Sequence, residues 1–373
     1  MSTKKMEYVR LGNSGLKISK IVLGMMSYGE PSWAGSWVLP EEEASKHVKT
    51  AYDAGINAFD TANVYSNGLS EEVLGRAIKE HNLPRRVFVR RRVPSQLISM
   101  RAPRDEIVIM TKVYFAVSKD PKEATFMFDT PGLEAKGLTN QFGLSRKHIF
   151  DSVKHSLRRL QVDYIDLLQC HRFDKNTPIE ETMQALHDVV QAGYVRYIGM
   201  SSCYAYQFHA MQNYAIANKL TPFISMQNHY NLIYREEERE MFPTLKHFGV
   251  GSIPWSPLAR GALTRPMSVQ LQKEGQTARS GSDAMLPAVY TSSAANKQIV
   301  ERVEEIANKR GVKMAQIGVA WLLSKPGVSA PIVGTTSLPN LIEAVEAAQI
   351  KLTEEEIKYL EEPYEPMKIL GHF

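Results

Sequence analysis

The chain predicts an α/β fold, a (β/α)8 TIM barrel, on three observations. Eight short apolar runs alternate with amphipathic segments over about 330 residues, the pattern of repeated strand–helix units. Several runs close on a polar residue, which is where a parallel barrel exposes its chemistry. The first run leads into Gly24-Met-Met-Ser-Tyr-Gly29. A doubly wound sheet, the alternative fold, would need a glycine-rich phosphate loop there, and this segment does not supply one.

The elements follow in order. Ile21-Val-Leu-Gly-Met25 is the first strand, and a helical stretch from Glu43 to Asp53 stops at Gly55. The second strand, Ala58-Phe-Asp-Thr61, delivers Asp60 and, five positions later, Tyr65. Ser70-Glu-Glu72 predicts the next helix start, with a capping residue and early acids. Ile107 to Lys112 is the third strand, and a long structureless connection, Tyr114 to Leu144, follows it on the active-site side. Such a connection reads as a pocket wall or lid. Ser145 to Leu160 places Ile149, Val153 and Leu157 on one helical face. Ile165 to Cys170 is the fourth strand, with His171 at its end, and the helix Ile179 to Ala192 ends at Gly193. Tyr197 to Ser201, Phe223 to Gln227, Ser252 to Trp255 and Ala330 to Gly334 complete the eight.

Composition bounds the class. A 373-residue chain with 43% hydrophobic and 23% charged residues can bury a sizeable core. No apolar run approaches the roughly 18 to 20 residues that span a bilayer, and Met1-Ser-Thr-Lys-Lys5 is no secretory signal. Two cysteines, Cys170 and Cys203, fit a reducing cytosol rather than a disulfide. The expectation is a cytoplasmic protein without membrane attachment, monomeric or a weak homo-oligomer. The net charge of +5 comes from one place: residues 86–104 hold Arg86, Arg90, Arg91, Arg92, Arg101 and Arg104 with no acid, and without them the charge is −1. A local cluster is not a nucleic-acid-binding face. The block lies between the second helix and the third strand, on the face opposite the chemistry. It is either a surface insertion or, the favoured reading, a translated short intron within one barrel domain spanning 1–373.

Four polar residues at strand ends form a chemical set: Asp60, Tyr65, Lys112 and His171. A phenol, an ammonium, a carboxylate and an imidazole brought together suit the transfer of a proton to a substrate oxygen and the stabilisation of charge there. A phenol is neutral at pH 7, with a reference pKa near 10, so Tyr65 suits the donor. Lys112 beside it is expected to lower that pKa, Asp60 to hold Lys112 charged, and His171 to donate to the substrate oxygen.

This quartet, with Tyr8-Val-Arg-Leu-Gly-Asn-Ser-Gly15 and the segments below, resembles the aldo-keto reductase family. It is closest to the fungal aryl-alcohol dehydrogenase-like branch. Tyr65 and Lys112 are 47 positions apart, too many for the family, but 28 without the 19-residue arginine block. The resemblance implies the same four catalytic roles and a bound NADPH. It places Ser201, Ser202 and Gln227 at the nicotinamide carboxamide, with Ser202 where an asparagine is usual. It makes Trp255 the ring that stacks on the nicotinamide, and carries Ser256, Leu258 and Arg260 along the pyrophosphate. Gly334, Thr335, Thr336, Ser337 and Asn340 begin the last barrel helix, whose free N–H groups suit a phosphate. The family's basic residue there is missing, and Arg260 is the compensating charge. The implied substrate is a small-molecule aldehyde or ketone, aryl or bulky and hydrophobic, with no metal ligand set. Two other functions fit the same barrel: a regulatory subunit like the potassium-channel β-subunits, and a Schiff-base enzyme using Lys112. Asp60 argues against the second by keeping Lys112 charged.

Overall fold

Short parallel strands cannot bury themselves singly, and here eight of them close into a ring. The computed structural model describes residues 6–83, 104–270, 272, 277–283 and 286–372. A hairpin comes first, β1 (Tyr8–Arg10) antiparallel to β2 (Lys17–Ser19). The parallel strands are β3 (Val22–Gly24), β4 (Ala58–Asp60), β5 (Val108–Val113), β6 (Ile165–Cys170), β7 (Val195–Ser201), β8 (Phe223–Gln227), β9 (Gly251–Ser252) and β10 (Ile332–Val333). Their order is β10-β3-β4-β5-β6-β7-β8-β9. The ring closes where Ser252 bridges Val328 in parallel and the Ile332 N–H donates to the Pro254 carbonyl at 2.9 Å. Each expected apolar run contains or overlaps one of these strands.

Helices cover the outside: α1 (Glu41–Asp53), α2 (Leu69–Glu80), α3 (Thr130–Ala135), α4 (Arg146–Leu160), α5 (Ile179–Gln191), α6 (Ala205–Ala217), α7 (Met241–Phe248), α8 (Met267–Gln270), α9 (Ala294–Arg310), α10 (Met314–Ser324), α11 (Leu338–Ala347) and α12 (Glu354–Glu361). Ser145 caps α4, accepting the His148 N–H at 3.3 Å. Two local expectations are corrected. Ser70 does not cap α2, because the helix already begins at Leu69. Its hydroxyl instead donates to the Met25 carbonyl at 2.9 Å and bonds Thr61. The stretch after β5 is not structureless either. It holds a 3-10 turn at Thr125–Met127 and α3, which Asp129 caps through the Gly132 N–H at 2.9 Å.

Alternate residues of a strand face the same side, so each inward series can be followed up the barrel. Val22, Ala58, Val108, Met110, Leu167, Ile253, Ala330 and Ile332 fill the interior, and Leu11 and Ile18 of the hairpin region join this cluster. Two positions further along β4, β5 and β6 come Asp60, Lys112 and Gln169, and Gln227 at the end of β8 joins them, all buried. This polar layer rests on an apolar one, so its members must satisfy one another.

Residues 86–103 of the arginine block lie outside the described residues. Arg104 is tied into the barrel: it donates to the Tyr164 carbonyl at 2.7 Å and pairs with Asp166 at 2.7 Å. Asp166 also accepts the Ile109 N–H at 2.8 Å, so the pair links β5 to β6. A chain lacking 86–103 is therefore expected to keep its activity and to melt no lower than the full chain. Extending the deletion through Arg104 strands a largely buried carboxylate, at a cost of about 1–3 kcal/mol. Thermal melts of the three chains test this; equal melting of the two deletions would show that Arg104 contributes nothing.

Candidate active site

The sequence-predicted quartet converges at the rim where the strands end. Lys112, completely buried, donates from Nζ to Asp60 Oδ2 at 2.6 Å, to the Thr61 carbonyl at 2.8 Å and to the Tyr65 hydroxyl at 3.2 Å. The ammonium's three protons thus have three acceptors, and Tyr65 is one of them. Burial alone would push the lysine pKa down, but Asp60 and Tyr65 outweigh it, and it lies above its ordinary value.

Tyr65 is placed by a tight turn. Ser66 and Asn67 both take left-handed backbone conformations (φ 47° and 50°), which cost free energy unless neighbours impose them. The neighbours are present. Ser66 Oγ accepts the Glu30 N–H at 3.1 Å, and Asn67 bonds Ser118 N–H, the Asp120 carbonyl and the Glu123 carbonyl. The turn carrying the phenol is thereby fastened to the segment after β5. Burial raises the Tyr65 pKa. Lys112 pulls it back only in part, and Asp60 adds to the rise. The expected net lowering by Lys112 is therefore corrected: removing a phenolate from water outweighs the neighbouring cation, whose charge Asp60 partly cancels.

His171 lies with its ring 5.8 Å from that of Tyr65, edge to face. Burial, with Arg172 and Lys112 nearby, holds its pKa well below the ordinary value, so the ring is neutral at pH 7. Its Nδ1 has no partner among the described residues. Aromatic side chains surround the pair: Trp33 at 6.1 Å from Tyr65, Phe115 at 5.1 Å from His171, and Phe126 at 5.2 Å from Trp33.

The candidate cofactor residues form two groups. Ser201 Oγ donates to the Gln227 carbonyl at 2.8 Å, and Trp255 Nε1 donates to Ser202 Oγ at 2.9 Å. Ser202 therefore anchors the indole and keeps its own hydroxyl proton to donate. Trp255 is half-buried rather than a core tryptophan, and is backed by a stack: His229 lies 4.2 Å from it and 4.0 Å from Tyr234, both nearly parallel. Ser256 and Arg260 again have positive φ (52° and 55°), and Leu258 precedes the kinked segment that begins at Ala259. Arg260 pairs with Asp283 at 2.7 Å, while its Nε is buried with no partner among the described residues. In the second group, Gly334, Thr336 and Asn340 are exposed at the start of α11; Ser337 caps it, and Thr335 bonds Ser337. These residues fit a nicotinamide dinucleotide: hydroxyls and an amide beside a backed aromatic ring, then an orphaned guanidinium nitrogen and an open helix start for phosphate.

Some functional neighbours carry no signal in the sequence. Gln169 donates to Asp60 Oδ1 at 3.0 Å, His229 backs Trp255, and Arg172 stands beside His171. The segment after α12 also returns to the site. The Met367 N–H donates to Glu236 at 2.8 Å and the Leu370 N–H to Tyr234 at 3.0 Å. His372 lies 3.3 Å from the buried Glu237 carboxylate and packs edge-on against Tyr204. A Cβ placed on Gly371 would meet the six-membered ring of Trp255 at 3.3 Å. Among the described residues, no helix is long and apolar enough to cross a membrane, and no cluster of His, Cys, Asp and Glu could hold a metal.

The chain is similar to known proteins over nearly its whole length. The model of the family described as "Aldo/keto reductase family" matches residues 20–365. The chain is 47% identical over 370 residues to "Versiconal hemiacetal acetate reductase" of Aspergillus parasiticus, with 98% of each chain covered. It is 48% identical over 368 residues to a "Putative aryl-alcohol dehydrogenase" of Schizosaccharomyces pombe, covering 98% of this chain and 97% of that protein. A protein of Fusarium vanettenii named as an aldo-keto reductase is 44% identical over 378 residues, covering 100% of this chain and 95% of its own.

Proposed function

The chain belongs to the aldo/keto reductase family, among its fungal aryl-alcohol dehydrogenase-like members, and from that premise we propose that it is an NADPH-dependent reductase of a bulky or aryl aldehyde or ketone, with Tyr65 as general acid. One observation carries the reading: a fully buried Lys112 shared between Asp60 at 2.6 Å and the Tyr65 hydroxyl at 3.2 Å, with the neutral His171 ring beside them.

The residues divide the work. When bound, the reduced nicotinamide supplies the hydride that reaches the carbonyl carbon. Trp255, fixed by Ser202 and His229, gives a flat surface that sets the stacking plane. Ser201, Ser202 and Gln227 offer hydrogen bonds to a carboxamide. Tyr65 gives its phenolic proton to the carbonyl oxygen as negative charge develops there, and Lys112 stabilises the phenolate left behind. The neutral His171 has one N–H. With no acceptor at Nδ1, that proton sits on Nε2, where it holds the carbonyl oxygen toward Tyr65. The rings of Trp33, Phe115 and Phe126 favour flat, apolar substrates.

The test is a panel of aromatic and aliphatic carbonyls, including versiconal hemiacetal acetate, followed by NADPH absorbance. Turnover of aryl carbonyls is the expected result; no oxidation of NADPH or NADH with any member overturns the proposal. The cofactor preference has its own test. The start of α11 offers Thr336 and Ser337 rather than a basic residue, so Arg260 carries the preference for the extra phosphate. Arg260→Ala is expected to lower kcat/KM with NADPH roughly 10- to 100-fold, the worth of a charged hydrogen bond, and with NADH much less. Equal losses would place Arg260 on the pyrophosphate instead.

A further inference from the structure

Gln169 is fully buried in the polar layer, and the proposed reaction gives it no part. Its Nε2 donates to Asp60 Oδ1 at 3.0 Å. Gln227 Nε2 donates to the same oxygen at 2.9 Å and to Gln169 Oε1 at 2.9 Å. The site was shaped to admit this pair: a Cβ on Gly199, the adjoining residue of β7, would lie 3.3 Å from Gln169 Cγ and 2.2 Å from Ser225 Oγ.

The two ends of an amide have nearly the same shape, so their orientation must be argued from partners. Here the partners decide. A carboxylate oxygen only accepts, so both amides must turn their NH2 ends toward Asp60 Oδ1. Gln169 then has oxygen at its other end, and that oxygen faces the Gln227 nitrogen. Both N–H groups of Gln227 are consumed, one by Asp60 and one by Gln169. What Gln227 has left for any further partner is Oε1, an acceptor.

We propose that Gln169 is a positioning residue that, with Asp60, locks the Gln227 amide so that it presents only its carbonyl oxygen to the cofactor, selecting a nicotinamide whose carboxamide supplies an N–H. This rests on the reading of Gln227 as a nicotinamide contact. It also joins the proton-donating and cofactor-holding halves of the site through one carboxylate. Asp60 holds Lys112 with Oδ2 and the two amides with Oδ1. Without Gln169, one N–H of Gln227 is released and can turn toward the cofactor, so the acceptor-only character is lost.

The experiment compares binding of NADP+ with its 3-acetylpyridine analogue, in which a methyl ketone replaces the carboxamide and the N–H donors are gone. Binding is read by quenching of tryptophan fluorescence. Wild type is expected to bind the analogue about 10-fold more weakly, the worth of one hydrogen bond. In Gln169→Met that ratio is expected to fall to about 2 or less, because a released N–H can serve the ketone oxygen. In a Gln227→Leu background, Gln169→Met is expected to leave the ratio unchanged, since Gln169 acts through Gln227. A general loss of packing would weaken both ligands together and leave the ratio alone. Should Gln169→Met not fold, Gln169→Asn keeps an amide but withdraws it by one methylene, and the ratio is again expected to fall. A wild-type ratio near 1, or a ratio that survives both Gln169 substitutions, overturns the inference while leaving the reductase reading in place. Failure of the wild type to bind NADP+ overturns both.

Discussion

Tyr65→Phe is expected to lower kcat for carbonyl reduction by about 10²- to 10⁴-fold, the usual worth of a positioned general acid, while the Kd for NADPH stays within about twofold. The phenol is the group in the quartet able to give a proton in its neutral form at the required position. Phenylalanine keeps the ring that packs edge-on against His171 and Trp33, so the pocket retains its walls. Lys112 loses one of three acceptors but keeps Asp60 and the Thr61 carbonyl. The stability loss should therefore be about 1–3 kcal/mol, that of one buried donor left without its acceptor. Because burial holds the Tyr65 pKa above its ordinary value, the phenol stays protonated through neutral pH. Tyr65 ionisation should accordingly leave the wild-type reduction rate flat across that range. Steady-state rates by NADPH absorbance and fluorescence titration of the cofactor are the measurements. A variant that retains more than half of the wild-type turnover removes Tyr65 from the role.

The quartet was legible because strand ends of a barrel announce themselves: Asp60, Lys112 and His171 lie where apolar runs close, Tyr65 follows one of these ends by five positions, and a parallel barrel brings such ends together whatever their spacing in the chain. Asp60, Lys112 and Gln227 were visible in this way. Gln169 was not, although it sits in the same layer, because a glutamine inside the run Ile165–Cys170 looks like any interruption of an apolar stretch. Its meaning lies in contacts with Asp60 and Gln227, 109 and 58 positions away. His229 and the segment reaching His372 were hidden for the same reason: a stack on Trp255 and a contact with Glu237 are tertiary facts without a local pattern. The arginine block shows the opposite error. Composition grouped Arg104 with five other arginines, yet Arg104 is the partner of Asp166. Charge counted along the chain says where cations are dense, not which one has a carboxylate waiting across the barrel. The direction of the Tyr65 shift was missed because sequence supplies the neighbouring charge but not the desolvation, and here desolvation is larger.

Lys112→Met is expected to reduce activity at least as much as the loss of the phenol, and to move the pH dependence of the reverse reaction. Reduction leaves a phenolate next to the ammonium. Unit charges about 4 Å apart at an effective dielectric near 20 attract by roughly 4 kcal/mol, or about three pKa units. Asp60 is bonded to the same nitrogen at 2.6 Å and offsets part of this, so the figure is an upper bound. The sign is unambiguous. Removing the cation leaves burial and Asp60, which raise the Tyr65 pKa, against only the weaker opposing charge of Arg172. A higher pKa makes the phenol a poorer acid for reduction. In alcohol oxidation the phenolate must accept a proton, so the rate climbs with pH toward the Tyr65 pKa, and in the variant that climb shifts to higher pH. The substitution also strands a buried carboxylate, a change that commonly costs about 3–5 kcal/mol. Asp60 keeps the amides of Gln169 and Gln227 on Oδ1, which should hold the loss toward the lower end. Melting temperature and NADPH binding therefore accompany the rate measurements, so that a folded, cofactor-binding variant is the one compared. If such a variant shows wild-type turnover and an oxidation profile superimposable on the wild type, the charge on Lys112 does not act on Tyr65.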